Sequence, residues 1–329
     1  MPAILLEPTD HGTTLRRGQV PRPGPVGPGE VRIAVRAVSV NRADVLARTG
    51  SYVTNVVRTG PAVAGMDAAG EVLEVGDAVR TVAVGDRVMA LAAGSLAAEV
   101  VCPAATTLPI PSGWSYVEGA AAVVGLVTEH DALVRAGRLA RGEVVLVHAA
   151  ASGVGTQAVQ LARHLGARLV LGTSRSDRHA GVLEGIGLDA LVVPGEGGFV
   201  EQVVALAGEE GVDVVVDHVG GPYLPDNVRV AALGGRLVDV GRLGGATGTL
   251  DLEEFARKRL ELLGCTFRTR TPEQRAAAVA AVRDGADLEA AADVLRPVVH
   301  ATYVWDDALA AQEALLRNEH VGKLVLETR

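Results

Sequence analysis

The chain has 329 residues, enough for two domains at the usual size of about 150 residues each. Hydrophobic residues make up 48% and charged ones 21%, which excludes global disorder, and the net charge of −8 argues against a nucleic-acid partner. No apolar run reaches the roughly 18 residues of a membrane span, and the first ten residues lack a basic leader. Two cysteines, Cys102 and Cys265, cannot build a disulfide framework or a structural zinc cluster by themselves. A cytoplasmic protein with no membrane partner is the expectation.

The first third reads as rich in strands and turns. Segment 21–29, PRPGPVGPG, is a connection, and it leads into a strand where Val31, Ile33 and Val35 alternate with polar residues. Further short strands fit 69–75, 87–91 and 97–102, separated by Gly-Asp turns at 76–77 and 85–86. Such a run of strands suggests a barrel-like or sandwich-like unit. A helical stretch over 115–138 then precedes the apolar run at 144–148, typical of a strand buried on both faces. Strands fit 168–172, 190–193, 213–217 and 236–240, alternating with helices near 154–166, 176–186, 199–208 and 223–232. That alternation predicts an α/β fold with a doubly wound parallel sheet. Two helical patterns at 272–284 and 306–317, with strands near 298–304 and 322–327, complete the chain.

The turn from His148 to Gln157 follows a predicted strand and opens a predicted helix. It lacks a literal G-x-G-x-x-G, since the three glycine positions are Ala150, Ser152 and Gly155. Small residues at all three still allow close approach to a pyrophosphate at a helix N-terminus, although any tight strand-to-helix turn has the same look. The next strand ends in Gly172-Thr173-Ser174-Arg175, with Arg178 one helical turn on and no carboxylate before Asp177. Hydroxyls and guanidinium groups in place of an acid suit a 2′-phosphate, which favours NADPH over NADH. The plainer alternative is a solvated, basic helix start.

Several motifs now stand in order: Val40-Asn41-Arg42-Ala43-Asp44, Arg48-x-Gly50-x-Tyr52, Gly65-x-x-x-x-Gly70-Glu71-Val72 and Val84-Gly85-Asp86-Arg87-Val88. After the turn at 148–155 come Asp217-His-Val-Gly-Gly221, Gly234-Gly235-Arg236-Leu237-Val238 and His320-Val-Gly-Lys-Leu324. With them the chain resembles, from end to end, the zinc-free quinone oxidoreductase (zeta-crystallin-like) branch of the medium-chain dehydrogenase/reductase superfamily. The resemblance implies a GroES-like, β-rich catalytic domain over 1–122, a Rossmann NADPH-binding domain over 123–265 and a return to the catalytic domain over 266–329. It further implies hydride transfer from NADPH to a quinone or an α,β-unsaturated carbonyl. Together with the turn and strand-end readings, it makes the cofactor-binding set Thr128, Ser152, Gly153, Val154, Gly155, Ser174, Arg175, Arg178, His218, Gly241 and Arg242. Asn41 and Tyr52 become the catalytic candidates, an amide donor and a phenol beside the nicotinamide and substrate, while Asp44 braces its loop.

Some residues depart from the family's pattern. Gly65-Met66-Asp67 stands where zinc-dependent relatives carry metal ligands, so no metal site is expected. Val193-Pro194 replaces an Asn-Tyr pair near the adenosine end, and segment 52–60 replaces a proline-rich loop. Glu129 and His130 are read as a solvated helix face, with acid–base work as the minority alternative. His218 fits a cofactor cleft and a surface loop equally well. A Lys–Asp pair of the kind some polyketide enoyl reductases use is not expected, since Lys258 and Lys323 are the only lysines. The alternatives in function are a tailoring enoyl reductase, a redox-neutral cyclase and a non-catalytic NADPH-binding protein. A homodimer is expected, paired along strand 236–240 as a sheet edge.

Overall fold

Alternating apolar residues put most of the early chain into strands. The computed structural model describes residues 1–9, 12–49 and 62–328. They fall into two units, one of Met1–Val124 with Phe267–Arg329 and one of Gly125–Thr266. Unit 1 begins with β1 (Pro2–Thr9), β2 (Gly12–Gln19), β3 (Glu30–Val40), α1 (Arg42–Arg48) and β4 (Ala62–Val63). It continues with β5 (Asp67–Val75), β6 (Arg87–Leu91), β7 (Glu99–Pro103) and β8 (Thr107–Pro109), and α2 (Tyr116–His130) then runs into unit 2.

Unit 2 alternates strand and helix: β9 (Val144–Val147), α3 (Gly153–His164), β10 (Leu169–Thr173), α4 (Ala180–Gly185), β11 (Ala190–Val192) and α5 (Val200–Ala207). It closes with β12 (Val212–Asp217), α6 (Leu224–Val230), β13 (Ala231–Asp239), α7 (Leu252–Arg257) and β14 (Glu261–Gly264). The chain returns to unit 1 through α8 (Pro272–Gly285), β15 (Val299–Val304), α9 (Ala308–Arg317) and β16 (Lys323–Glu327).

In unit 1 the main sheet has the order β15-β16-β3-β5-β6-β8, with β7 also paired to β3, and β2-β1-β4 form a smaller sheet. Its core gathers Ile33, Val35, Val72, Val88, Leu324 and Leu326, the inward residues of four strands. Between β3 and β5 the register shifts near Val35 and Ala37, and Gly70 lies opposite Val35. A Cβ at Gly70 would stand 2.0 Å from the Ala34 carbonyl oxygen and 2.8 Å from Ile33 Cγ2, so only glycine permits this approach.

In unit 2 all neighbouring strands are parallel, in the order β11-β10-β9-β12-β13-β14. That is the doubly wound 3-2-1-4-5-6 arrangement, whose switch point lies between β9 and β12. All four residues of β9 are buried, as expected of a strand with helices over both faces. Two details differ from expectation. The helix anticipated over 115–138 is α-helical only to His130 and continues as a wider turn, Asp131–Ala136, where the Gly137 N–H reaches back to the Ala132 carbonyl. Strand 236–240 is not an edge, because β13 is flanked by β12 and β14. β14, too short and polar at its start to stand out in the sequence, covers it, so any pairing of copies along this end of the sheet would use β14.

Replacing Gly70 by alanine should lower the urea midpoint of unfolding, with a loss of about 1–3 kcal/mol for overpacking and an unchanged m-value. An unaltered midpoint would show that β3 and β5 do not need the close approach.

Candidate active site

The carboxyl ends of the unit 2 strands carry most of the residues singled out from the sequence. After β9, the His148 N–H binds the Val216 carbonyl, and the Ala150 N–H binds that of Thr173 at 2.9 Å, drawing the turn across its neighbours. Ala149 takes a left-handed φ of 51°, where a glycine would be unstrained. Ser152 caps α3: its Oγ accepts from the Gly155 N–H at 3.0 Å, and its carbonyl accepts from Thr156. Among the described residues, no acceptor within the chain takes the N–H groups of Gly153 and Val154. They are open to an anion in the first turn of a 12-residue helix. A Cβ at Gly155 would lie 2.3 Å from the Ala149 carbonyl, which fixes glycine there. The side chain of Ala150 is accommodated because Gly172 faces it: a Cβ on Gly172 would come within 2.7 Å of Ala150 Cβ. The small-residue requirement is thus shared between the turn and the next strand.

A buried chain of hydrogen bonds ties these strand ends together. His148 Nδ1 meets Thr173 Oγ1 at 2.9 Å and Nε2 meets Asn227 Oδ1 at 2.7 Å, while Asn227 Nδ2 donates to Asp217 Oδ2. The other Asp217 oxygen accepts from the N–H groups of Val219 and Gly220. Since a carboxylate only accepts, Asn227 must turn its amide nitrogen to Asp217 and its oxygen to His148. His148 therefore carries its proton on Nε2 and accepts from the Thr173 hydroxyl at Nδ1. Burial lowers the pKa of His148, partly offset by Asp217, which keeps the ring neutral at pH 7.

Ser174 follows β10 half-buried, and Arg175 and Arg178 are exposed. Beyond β13, Gly241 packs so closely on the His218 backbone that a Cβ would lie 2.8 Å from its carbonyl oxygen. Arg242 is held in an ion pair with Asp239 at 2.6 Å. Thr128 is half-buried on α2. The expectation for its neighbours is corrected: Glu129 is 0% and His130 6% exposed, so they do not form a solvated face. His218 is buried rather than on a surface loop, with Nε2 at 3.6 Å from Glu129 Oε1.

Asn41 lies in unit 1, at the start of α1, in a second buried cluster. Its Nδ2 donates to Asp67 Oδ2 at 2.7 Å and to the Ser39 hydroxyl and carbonyl, and its Oδ1 accepts from Lys323 Nζ at 2.6 Å. Both ends of the amide are committed within the protein, so Asn41 holds this cluster together instead of presenting a free donor. Asp44 accepts from the Asn41 N–H at 2.8 Å, and Asp67 accepts from both the N–H and hydroxyl of Ser39. Lys323 is 5% exposed and feels the charges of Asp67 and Asp44. Lys323 is thus linked to Asp67 and Asp44 through Asn41, and the Gly-Lys of the 320–324 motif was the sequence signal for this cluster. Tyr52, with segment 52–60, lies outside the described residues. Among the described residues, no group of three or more His, Cys, Asp or Glu is placed to hold a metal ion, and no helix is long and apolar enough to cross a membrane.

Two family descriptions match this architecture, an alcohol dehydrogenase GroES-like domain over residues 27–112 and a zinc-binding dehydrogenase over 153–283. Two mycobacterial structures, Rv1454c complexed with NADPH and the quinone oxidoreductase Rv154c, are each 30% identical with a TM-score of 0.83. Each comparison covers 99% of this chain, and 100% and 99% of the other chain. The chain belongs to the medium-chain dehydrogenase/reductase superfamily. Within the superfamily, the CurK enoyl reductase superposes with a TM-score of 0.85 at 26% identity, over 99% of both chains. The pikromycin polyketide synthase component PikAII of Streptomyces venezuelae is 35% identical over 312 residues. This chain aligns over 92% of its own length but spans only 8% of that protein.

The Asp44 carboxyl is pushed up to about 7, first by burial and then by the charge of Asp67. An unfolded aspartate releases its proton near 4, so between about pH 4 and 7 the folded state holds a proton that the unfolded state has lost. Its contribution to stability is fully present below pH 4 and is lost as pH rises through about 7. Asp44→Asn keeps an acceptor for Asn41 and should remove this dependence, up to about 1.4 kcal/mol per pH unit. Urea unfolding of both proteins across that range checks it; parallel pH curves would contradict it.

Proposed function

We propose that this protein is an NADPH-dependent reductase of α,β-unsaturated carbonyl compounds, with an acyl thioester as the preferred class. The observation that carries the reading is the pair of anion-binding features at neighbouring strand ends in unit 2. The open Gly153 and Val154 N–H groups at the start of α3 suit a pyrophosphate. Ser174, Arg175 and Arg178 after β10, with no carboxylate before Asp177, suit a 2′-phosphate. Glycine at 155, where a Cβ would strike the turn, and at 241 fits a cofactor lying close against the backbone. Bound there, NADPH would supply the hydride.

The thioester preference is supported by the similarity to PikAII and to the CurK enoyl reductase. A quinone acceptor is the second reading, supported by the likeness to the mycobacterial quinone oxidoreductase. Both acceptors take hydride and build negative charge on an oxygen, so donors near that oxygen would speed either reaction. They differ in the proton step, because an enolate needs a proton on carbon whereas a hydroquinone anion takes its proton from water. Tyr52 remains the proposed phenol donor.

NADPH should bind at least about tenfold more tightly than NADH, and Arg175→Ala or Arg178→Ala should each lose about tenfold for NADPH alone. Fluorescence titration measures this, and equal affinities would overturn the assignment of the 2′-phosphate site. Monitoring NADPH absorbance with an N-acetylcysteamine enoyl thioester, a simple enone and ortho- and para-quinones then separates the acceptor classes. Turnover restricted to quinones would favour the second reading, and no turnover with any of them would reject a reductase.

A further inference from the structure

Three buried polar atoms converge without a hydrogen bond in unit 2: Oε1 and Oε2 of Glu129 and Nε2 of His218. Glu129 Oε1 and His218 Nε2 are 3.6 Å apart, and the two residues are 0% and 3% exposed. Three other buried carboxylates, by contrast, each have more than one partner. Asp67 is bound by Ser39 and Asn41, Asp217 by Val219, Gly220 and Asn227, and Asp131 by Arg135 and Cys265. A buried acid and imidazole left without structural bonds weaken the fold, which calls for a role other than stability. Their place suggests it. His218 directly follows β12, beside the β9 turn, at the switch point where a parallel sheet of this kind receives its ligand.

We propose that Glu129 and His218 form an acid–base pair that holds the proton used in the reduction. The assignment rests on the enone-reductase reading. The substrate gains hydride from NADPH at its β-carbon, and the C=C electron pair moves toward the carbonyl to give an enolate. The proton of the pair then forms the new C–H bond at the α-carbon as the O–H bond of Glu129 breaks. Glu129 is left as a carboxylate, which its buried setting disfavours, and it takes a proton back from water.

The surroundings favour a proton on the carboxyl over one on the imidazole. Burial, reinforced by Asp131, raises the Glu129 pKa well above the usual carboxyl range. Burial and then His148 push His218 down to about 3. Ionisable groups close in the chain or at the same strand ends are Asp131, bound to Arg135 and Cys265, His130 beside Glu129, Asp217 at the end of β12 and Asp239 at the end of β13. A separation longer than a hydrogen bond is usual before a substrate closes the site.

Glu129→Gln preserves size and polarity but cannot release a proton. It should lower kcat on the enoyl thioester about 10²-fold while leaving NADPH affinity within about twofold. The solvent deuterium isotope effect should rise and the effect of deuterated NADPH should shrink, because proton transfer becomes limiting. Infrared spectra of the cofactor-free enzyme at neutral pH should contain a protonated-carboxyl band that the variant lacks. If the variant does not fold, the Asp44→Asn protein, which lacks the other carboxyl titrating near neutral pH, decides: its kcat should decline at alkaline pH together with that band. Unchanged kcat and isotope effects in Glu129→Gln, or a wild-type spectrum without the band, would overturn the pair and leave the reductase reading intact. Absence of turnover in the wild-type enzyme would instead reject that reading, and the catalytic role of the pair with it.

Discussion

The hydrogen-bond chain Thr173–His148–Asn227–Asp217 is the constraint on which the carboxyl edge of the unit 2 sheet depends. It joins the ends of β9, β10 and β12 through a residue of α6, so the turns after those strands are held in one arrangement. Each member has its donors and acceptors matched, and in a low-dielectric interior such a matched chain gives rigidity that an apolar contact of the same size does not. The His148 ring also packs against Phe199 and Tyr223, with centroids 4.8 Å away in each case. Burial favours the neutral ring, in which Nδ1 accepts from the Thr173 hydroxyl while Nε2–H donates to Asn227. With the turn fixed, the Gly153 and Val154 N–H groups point along the start of α3, where the helix dipole adds to their pull on an anion.

The two units hold buried ionisable groups of opposite character. In unit 1, Lys323, Asp67, Asp44, Asn41 and Ser39 satisfy one another, and removing one partner would strand a buried charge. One lysine faces two aspartates there, and the high Asp44 pKa follows from that imbalance as well as from burial. In unit 2, Glu129 and His218 are close but unbonded, so their ionisation is not committed to holding the fold. A satisfied cluster suits positioning, and an unsatisfied one suits exchange of a proton. The roles assigned to Asn41 and to the Glu129–His218 pair stem from that difference.

Much of this was legible in the sequence, and the failures have physical causes. The strands of unit 2 and the helices between them follow from apolar runs and their spacing, since a sheet covered on both faces leaves little freedom of pattern. Four consecutive polar residues, Thr128 to Asp131, look like one wet face. At about 100° per residue, however, they sweep most of the way round a helix. The preceding residues of α2 are almost all apolar, so part of that sweep had to be buried, and Glu129 and His130 fall in it. A count of lysines says little about Lys323, whereas β16 pairs with β3 and sets Leu324 opposite Val40. That brings Lys323 beside Asn41, a contact across 282 positions that no local pattern encodes. The edge assigned to β13 failed because β14, only four residues long, carries too weak a signal to be seen as its outer neighbour.

The central claim is that the carboxyl edge of unit 2 presents NADPH for hydride transfer to the β-carbon of an α,β-unsaturated carbonyl. The most direct measurement uses NADPH deuterated at the transferred position of C4, with an enoyl thioester in ordinary water, and locates the label by NMR and mass spectrometry. The account predicts one deuterium at the β-carbon of the saturated product and ordinary hydrogen at the α-carbon. A saturated product without deuterium, or with deuterium at the α-carbon, would contradict it.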